Sequence, residues 1–557
     1  MERMKHLAAE AVLTVILLFV YVVELSRDNA RIVEDLKSWT PLGLTVIFVL
    51  MIVLFALAFR DIRGLFAGLS KRQWIAAAAV AAIAFGLAFG FAPRTHRIYY
   101  DENIYLHIGQ SIAATGKAQM VNFGELKYGE LIVNQAEYNK QPNAFPFLLS
   151  LIYRITGPSE FLSFLFNNIV FAAGAFLIFL LGNLLFGEFK AGLYAAAAYI
   201  VIPQNILWHN TTAAEPANTA AILLTVFLAY CYIRTSKLTV LFLAFTAAAF
   251  AAQFRMETLL VFPLIVIYLL IEGRKTFRQP KAYYVVPLVL LLLLPHVLHL
   301  FCFQGHSWGS ATLDKLGFGY FGNNLSTNGL FLLNNKDFPI LLTIAALAGF
   351  LFRRKLAEKM QAGVWFLVFW GVFLFFYAGS YYYGADIRFS LMAFPPLALL
   401  AGAGLSDLDG WTARKLRRPG TALVGALVLA AAFLSFAPKA RTVGQEAWAA
   451  RADHHYAREM LGFIPKDAIV FTHNPNMFLF WGRSSAQASI LAGYDENGLK
   501  GLRVSFPGGV YFHYNFWCNV SDPLQQSFCK SILDKFPHSE VTRAQERDYT
   551  YILYKVD

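Results

Sequence analysis

Apolar stretches of about twenty residues recur along this chain, and a bilayer core of about 30 Å needs roughly that length of helix to cross it. The sequence predicts thirteen such segments, at 8–25, 40–59, 73–92, 161–186, 191–208, 216–234, 238–253, 258–272, 282–301, 338–352, 362–378, 389–406 and 420–437. The seventh and eighth are short and nearly fused. Hydrophobic residues make up 57% and charged residues 15% of the 557, which excludes a water-soluble fold. The first segment is followed by charged residues and another span, without a small-residue cleavage site, so it is expected to remain as an anchor.

The formal net charge of +12 would suit nucleic acid, but the basic residues cluster in alternate short connections. Arg60, Arg63, Lys71 and Arg72 follow the second segment. Arg274, Lys275, Arg278 and Lys281 follow the eighth, Arg353, Arg354, Lys355 and Lys359 the tenth, and Arg414, Lys415, Arg417 and Arg418 the twelfth. With thirteen segments all of these fall on one side, together with Arg3 and Lys5, and the positive-inside rule makes that side cytoplasmic. The charge therefore reports topology, and no nucleic-acid partner is expected. The connection after the third segment and everything beyond the thirteenth are then extracytoplasmic. Cys231 and Cys302 fall in or beside apolar segments, whereas Cys518 and Cys529 lie in the tail. Spacing alone leaves a tail disulfide open. The extracytoplasmic placement favours it, because a disulfide persists in an oxidising compartment and a loop this short gains about 3 kcal/mol.

The organisation expected is a membrane domain over 1–437 and a small α/β domain over 438–557. A long outer loop, 93–160, contains two amphipathic helical stretches, at 111–115 and 145–153, suited to lie in the membrane interface. A second outer loop, 302–337, is rich in Gly, Asn and aromatics and reads as a flexible substrate-covering segment or as a plain connection. In the tail, helices are predicted at 446–464 and 525–536 and strands at 468–473, 509–514 and 549–554. The tail has no phosphate-binding glycine motif and no Cys/His cluster with ligand spacing, which disfavours an ATP-driven pump or a nucleotide-sugar site there.

Ionisable residues at membrane depth are functional candidates. Asp101 and Glu102 follow the third apolar segment directly. A carboxylate there suits a general base, and an acidic pair at a helix N-terminus also satisfies the helix dipole. Glu137 and Lys140 precede an amphipathic run, where the lysine suits a phosphate or simply snorkels to the interface. Arg255 and Glu257, between the seventh and eighth segments, read as an ion pair or a ligand contact. Asp386 and Arg388 enter the twelfth segment, and the arginine suits an anionic head group. Glu215 reads as a helix-start cap. A base beside Lys140, Arg255 and Arg388 at a lipid interface fits a sugar linked through phosphate to a long lipid, with the cations stabilising the charge that develops on the leaving phosphate.

At these residues the chain resembles the GT-C superfamily of integral membrane glycosyltransferases, in its protein O-mannosyltransferase and lipid A aminoarabinose transferase branch. The resemblance rests on Tyr100, Asp101 and Glu102; Glu137, Lys140 and Pro142; Thr212, Glu215 and Pro216; Phe254, Arg255 and Glu257; and Arg388, Phe389 and Pro395, in order over roughly 95–410. It implies a polytopic α-helical membrane protein of GT-C type, a polyprenyl- or dolichyl-phosphate-linked donor, and inversion at the anomeric carbon. It further implies Asp101 as base, and Lys140 and Arg388 on the donor phosphate. Some members bind a divalent metal, for which Glu102 or Glu137 would be a ligand. The chain departs from the pattern in having two spans before the acidic loop's usual single one, Lys-Gln-Pro at 140–142 in place of Lys-Pro-Pro, and no β-trefoil insertion. The expected setting is a bacterial or archaeal plasma membrane rather than the endoplasmic reticulum, with site and tail extracytoplasmic and an acceptor in the cell envelope. Two rival readings use the same cations: a flippase or transporter of a lipid-linked sugar, and an oligosaccharide ligase or polymerase with a diphosphate-linked donor.

Overall fold

In a computed structural model of the chain, residues 2–98, 100–305, 310, 314–334, 338–352, 354–381, 384–416, 423–443, 448–520 and 523–557 are described. Arg353, Arg417 and Arg418 of the predicted cytoplasmic clusters lie outside them, as do 306–309, 311–313 and 335–337 of the second outer loop, 420–422 of the last apolar segment and 446–447 of the predicted tail helix. The chain forms two compact units. One comprises Met1–Arg94, Lys140–Ala144 and Phe164–Gly444, the other Thr95–Asn139, Phe145–Ser163 and Gln445–Asp557.

The first unit is helical. Among the described residues, seven helices are long and apolar enough to cross a bilayer: Met4–Leu25, Asn29–Gly64, Lys71–Phe91, Glu160–Phe186, Glu215–Thr235, Pro280–Cys302 and Ala385–Lys415. The other six predicted segments coincide with shorter helices, such as Leu238–Ala251, Val261–Ile271 and Ile340–Leu351, or with broken ones, as at Phe189–Ile200 and Pro203–Trp208. Helix starts follow local chemistry. The Asp28 carboxylate accepts from the amides of Ala30 and Arg31. Ser70 and Gln73 form a reciprocal capping box, in which the Gln73 side chain accepts from the Ser70 amide at 2.8 Å. The apolar window of Ala385–Lys415 is wholly buried, whereas that of Met4–Leu25 is 6% buried and leaves an apolar surface exposed. Close approach at the centre depends on missing side chains: a Cβ at Gly402 would overlap the Ala195 backbone, and one at Gly404 the Ala345 carbonyl.

The second unit is a seven-stranded mixed sheet with helices. Its strands are β1 (Met120–Lys127), β2 (Glu130–Glu137), β3 (Ile469–Thr472), β4 (Ser484–Gln487), β5 (Val510–Tyr514), β6 (His538–Glu546) and β7 (Tyr549–Val556), in the order β2-β1-β4-β3-β5-β7-β6. β3 is parallel to both β4 and β5, and the remaining pairs are antiparallel. The β1–β2 hairpin turns on Tyr128 and Gly129, both at positive φ (56° and 84°), which matches the right-handed strand twist. Alternation divides the strands between two cores. Ile469, Phe471, Val510 and Phe512 face one, and Val470, Tyr511, Tyr551 and Leu553 the other. Cys518 and Cys529 are joined by a disulfide with a Cα separation of 5.6 Å.

Two expectations change here. The sequence separates the outer loop from the tail, yet β1 bonds β4, so Thr95–Asn139 and Phe145–Ser163 join Gln445–Asp557 in one unit with one sheet. The helices predicted to lie in the lipid interface belong to this unit. Every residue from Glu102 to Ile112 of helix Asp101–Thr115 is buried, because Leu149 and Tyr153 of helix Ala144–Thr156 close over Gly109 and helix Pro475–Phe480 covers a further side. The buried face of helix Asp101–Thr115 meets protein.

Candidate functional site

In the first unit, Arg255 and Arg388 converge on Glu215. The Glu215 Oε1 accepts from Arg255 Nη1 at 2.6 Å and from Arg388 Nε at 2.8 Å, and the side chain is 1% exposed. Arg255 also pairs with Glu257, and Arg388 Nη1 with Asp386 at 3.1 Å. Both guanidinium carbons lie over the Phe389 ring, at 4.8 and 4.6 Å. Irregular backbone makes this convergence available: Arg255 is extended ahead of the 3-10 turn Met256–Leu260, and Arg388 sits in the 3-10 stretch Gly384–Ala393. Five charges thus gather with three carboxylates against two guanidiniums. Two residues read singly as ligands are mutually paired through Glu215, which the sequence marked only as a cap.

The Lys140–Ala144 segment is tied to the same region, since the Ala144 amide donates to the Gln253 carbonyl at 3.0 Å, two residues before Arg255. Lys140 itself is exposed. Its charge reaches Lys315, whose ammonium is held below the usual lysine range by burial and by the like charge of Lys140. Lys315 donates to the Phe303 carbonyl at 3.3 Å, and its own carbonyl accepts from the Tyr377 amide at 3.0 Å. The loop around it is therefore fastened rather than free, with helix Phe321–Leu333 inside it and Asn324 donating to the carbonyls of Phe373 and Phe376. Sequence reasoning passed over Lys315. A lone lysine in an aromatic-rich loop carries no spacing signal, and only the fold brings Lys140 to it.

In the second unit, Asp101 opens its helix, partly buried. Tyr100 before it has φ 77°, a conformation that costs an L-residue about 1–3 kcal/mol and persists only where the surroundings enforce it. Glu102 is fully buried and fully engaged. Its Oε1 accepts from the amides of Arg97 (2.7 Å) and Ile98 (2.9 Å), and its Oε2 meets His96 Nδ1 at 3.0 Å. The other His96 nitrogen meets Glu160 Oε1 at 2.8 Å, as does His454 Nε2. Burial alone would lower the His96 pKa, but the Glu102 and Glu160 carboxylates prevail and raise it to about 10. Burial opposes ionisation of Glu102 too, and His96 with the two amides still holds it below the usual carboxylate range. The adjacent acids thus separate: Glu102 organises the backbone, and Asp101 is the member placed at the helix mouth. Glu137, the other metal-ligand candidate, is exposed at the end of β2.

Comparison with known proteins gives two findings. Residues 140–299 match the family model for dolichyl-phosphate-mannose-protein mannosyltransferase. The structure is similar to the crystal structure of ArnT from Cupriavidus metallidurans bound to undecaprenyl phosphate, with a TM-score of 0.56 and 14% identity over 87% of this chain and 98% of that one. It is also similar to the apo form of that protein, with a TM-score of 0.52 and 13% identity over the same shares. Comparison with curated protein sequences gives no match. The chain shares its fold with ArnT, and residues 140–299 resemble the dolichyl-phosphate-mannose-protein mannosyltransferases.

Proposed function

We propose that this protein transfers one sugar from a polyprenyl- or dolichyl-phosphate-linked donor to an extracytoplasmic acceptor, with inversion. The observation that carries the donor class is the likeness of the fold to that of ArnT bound to undecaprenyl phosphate, and exposed Lys140 with Lys315 supplies the cations proposed to meet such a phosphate. Two ammonium groups held within reach of each other repel, and a lipid phosphate between them turns that repulsion into attraction. Arg255 and Arg388 add positive charge only by sharing donors with Glu215, so they hold the site's shape as much as its ligand. In the step proposed, Asp101 takes the proton of the acceptor as its heteroatom attacks the anomeric carbon. The bond from that carbon to the phosphate oxygen breaks, and the lipid phosphate leaves with its charge met by the lysines. The thirteen helical segments are read as crossings, with the second unit and its disulfide outside the membrane.

The test is donor use by the purified full-length protein in liposomes, with radiolabelled polyprenyl-monophosphate and polyprenyl-diphosphate sugars offered separately. Product formed from the monophosphate donor alone is the expected result. Product from the diphosphate donor alone would make the protein a ligase or polymerase, and donor movement across the bilayer without product would make it a flippase.

A further inference from the structure

Three separate stretches of the second unit bring ligating atoms to one point. His96 comes from the irregular segment ahead of the buried helix, Glu160 from the start of helix Glu160–Phe186, and His454 from helix Trp448–Met460. Their ligating atoms all lie within 4.8 Å of one another, with Glu160 Oε1 at 2.8 Å from both imidazole Nε2 atoms. We propose that His96, Glu160 and His454 form a binding site for a divalent metal of the zinc class, with Glu102 as the carboxylate that orients His96.

Four features support this. First, a single histidine between Glu102 and Glu160 would complete an ion-pair network, yet a second imidazole is brought to the same carboxylate oxygen, its ring centroid 4.1 Å from that of His96. Convergence of two Nε2 atoms and one carboxylate oxygen is the arrangement a metal site needs. Second, a metal-binding histidine characteristically gives its other nitrogen to a carboxylate that is itself fixed by hydrogen bonds. Glu102 fills that place for His96, pinned by the Arg97 and Ile98 amides. Third, two imidazoles and one carboxylate are the donor set of zinc sites with an open fourth position, whereas Mg²⁺ and Ca²⁺ prefer all-oxygen ligands. Zinc bonds of about 2.0–2.1 Å put tetrahedral ligands about 3.3 Å apart, so the two oxygen–nitrogen distances of 2.8 Å need to open by about 0.5 Å. Fourth, there is a way in. Glu160 stands in the wall of a cavity of about 960 Å³, beside Trp481 and three cations, Arg458, Lys466 and Arg483. That surface supplies both entry and a fourth position suited to hydroxide or another anion.

The experiment uses untagged full-length protein in nanodiscs, stripped with chelator and titrated with Zn²⁺, with bound metal counted by mass spectrometry. One zinc per chain is expected, with a higher melting temperature. His454→Ala, at the partly exposed edge of the group, and Glu160→Gln should each lose the bound zinc. Glu102→Gln should bind it about 10–100-fold more weakly. Glu137→Gln, which changes a sequence-level metal candidate outside the group, should bind as wild type does. Zinc-edge absorption on the wild-type protein, which depends on no variant, should report two imidazole nitrogens and oxygen at about 2.0–2.1 Å. Sub-stoichiometric zinc in the wild type, unchanged zinc in His454→Ala, or a spectrum without imidazole would each overturn the proposal.

Discussion

Glu102→Ala removes the group that organises the entry to the Asp101 helix, and the structure sets the size of its effect. The wild-type carboxylate is 0% exposed and makes three contacts, to His96 Nδ1 and to the Arg97 and Ile98 amides. Removing one partner of a buried ion pair costs about 3–5 kcal/mol, because the other charge stays buried. The two amides add desolvation penalties of about 1–3 kcal/mol each if water does not enter. Rearrangement and the surviving His96–Glu160 contact offset part of this, which leaves a net cost of about 4 kcal/mol. For a unit of this size, about 2–4 °C are lost per kcal/mol, so metal-free melting should fall by about 8–16 °C. Glu102→Gln keeps an oxygen for the amides and loses the charge, and should cost about half as much. The assay is thermal melting in chelator, followed by near-ultraviolet dichroism of the second unit's aromatics. His96→Ala added to Glu102→Ala should cost little more, giving a coupling of about 2 kcal/mol or above. A Glu102→Ala protein melting within 2 °C of wild type, or additive single and double variants, would refute the reasoning.

Other outcomes follow from the same contacts. Cys518→Ser should cost the second unit about 3 kcal/mol by the loop-closure relation, visible as a lower denaturation midpoint under oxidising but not reducing conditions. Gly402→Leu forces a side chain into the Ala195 backbone and should abolish a folded, monodisperse protein in detergent, whereas Gly410→Leu, with nothing near its Cβ, should not. Lys315→Ala should raise the KM for the lipid-phosphate donor about tenfold, equivalent to about 1.4 kcal/mol, with little effect on melting. Burial lowers the His107 pKa to about 4 and the His513 pKa to about 3. Both folded values lie below the unfolded value of about 6.5, so their contribution is complete above that pH and is lost as pH falls below it, by about 1.4 kcal/mol per unit for each histidine. Melting temperature should drop steadily from pH 6 to pH 5. A flat profile across that range would contradict their burial as neutral rings.

The membrane class and the order of the apolar segments were legible because hydrophobicity is a local property, read in windows the length of a helix. The separate positions of Asp101, Lys140, Arg255 and Arg388 were legible for a related reason: each is an ionisable group beside an apolar segment. What they touch was not. Glu215 looks like a cap from its neighbour Pro216, and only the packing of three chain segments shows it receiving two arginines. The β1–β2 hairpin was missed because both its strands carry polar residues on exposed positions, and its partner β4 lies more than 350 residues away. The burial of helix Asp101–Thr115 had the same cause, since its apolar faces fit lipid and protein equally well. His96 and His454 have no ligand spacing in sequence because they come from opposite ends of the chain.

The central claim is that Asp101 is the base of a sugar transfer from a lipid phosphate. Turnover of Asp101→Asn with a radiolabelled polyprenyl-monophosphate sugar tests it most directly, alongside donor binding by the same protein. The account predicts turnover at least about 100-fold below wild type, the low end of the range for loss of a general base, with donor affinity and melting temperature unchanged. Turnover near the wild-type rate would contradict it.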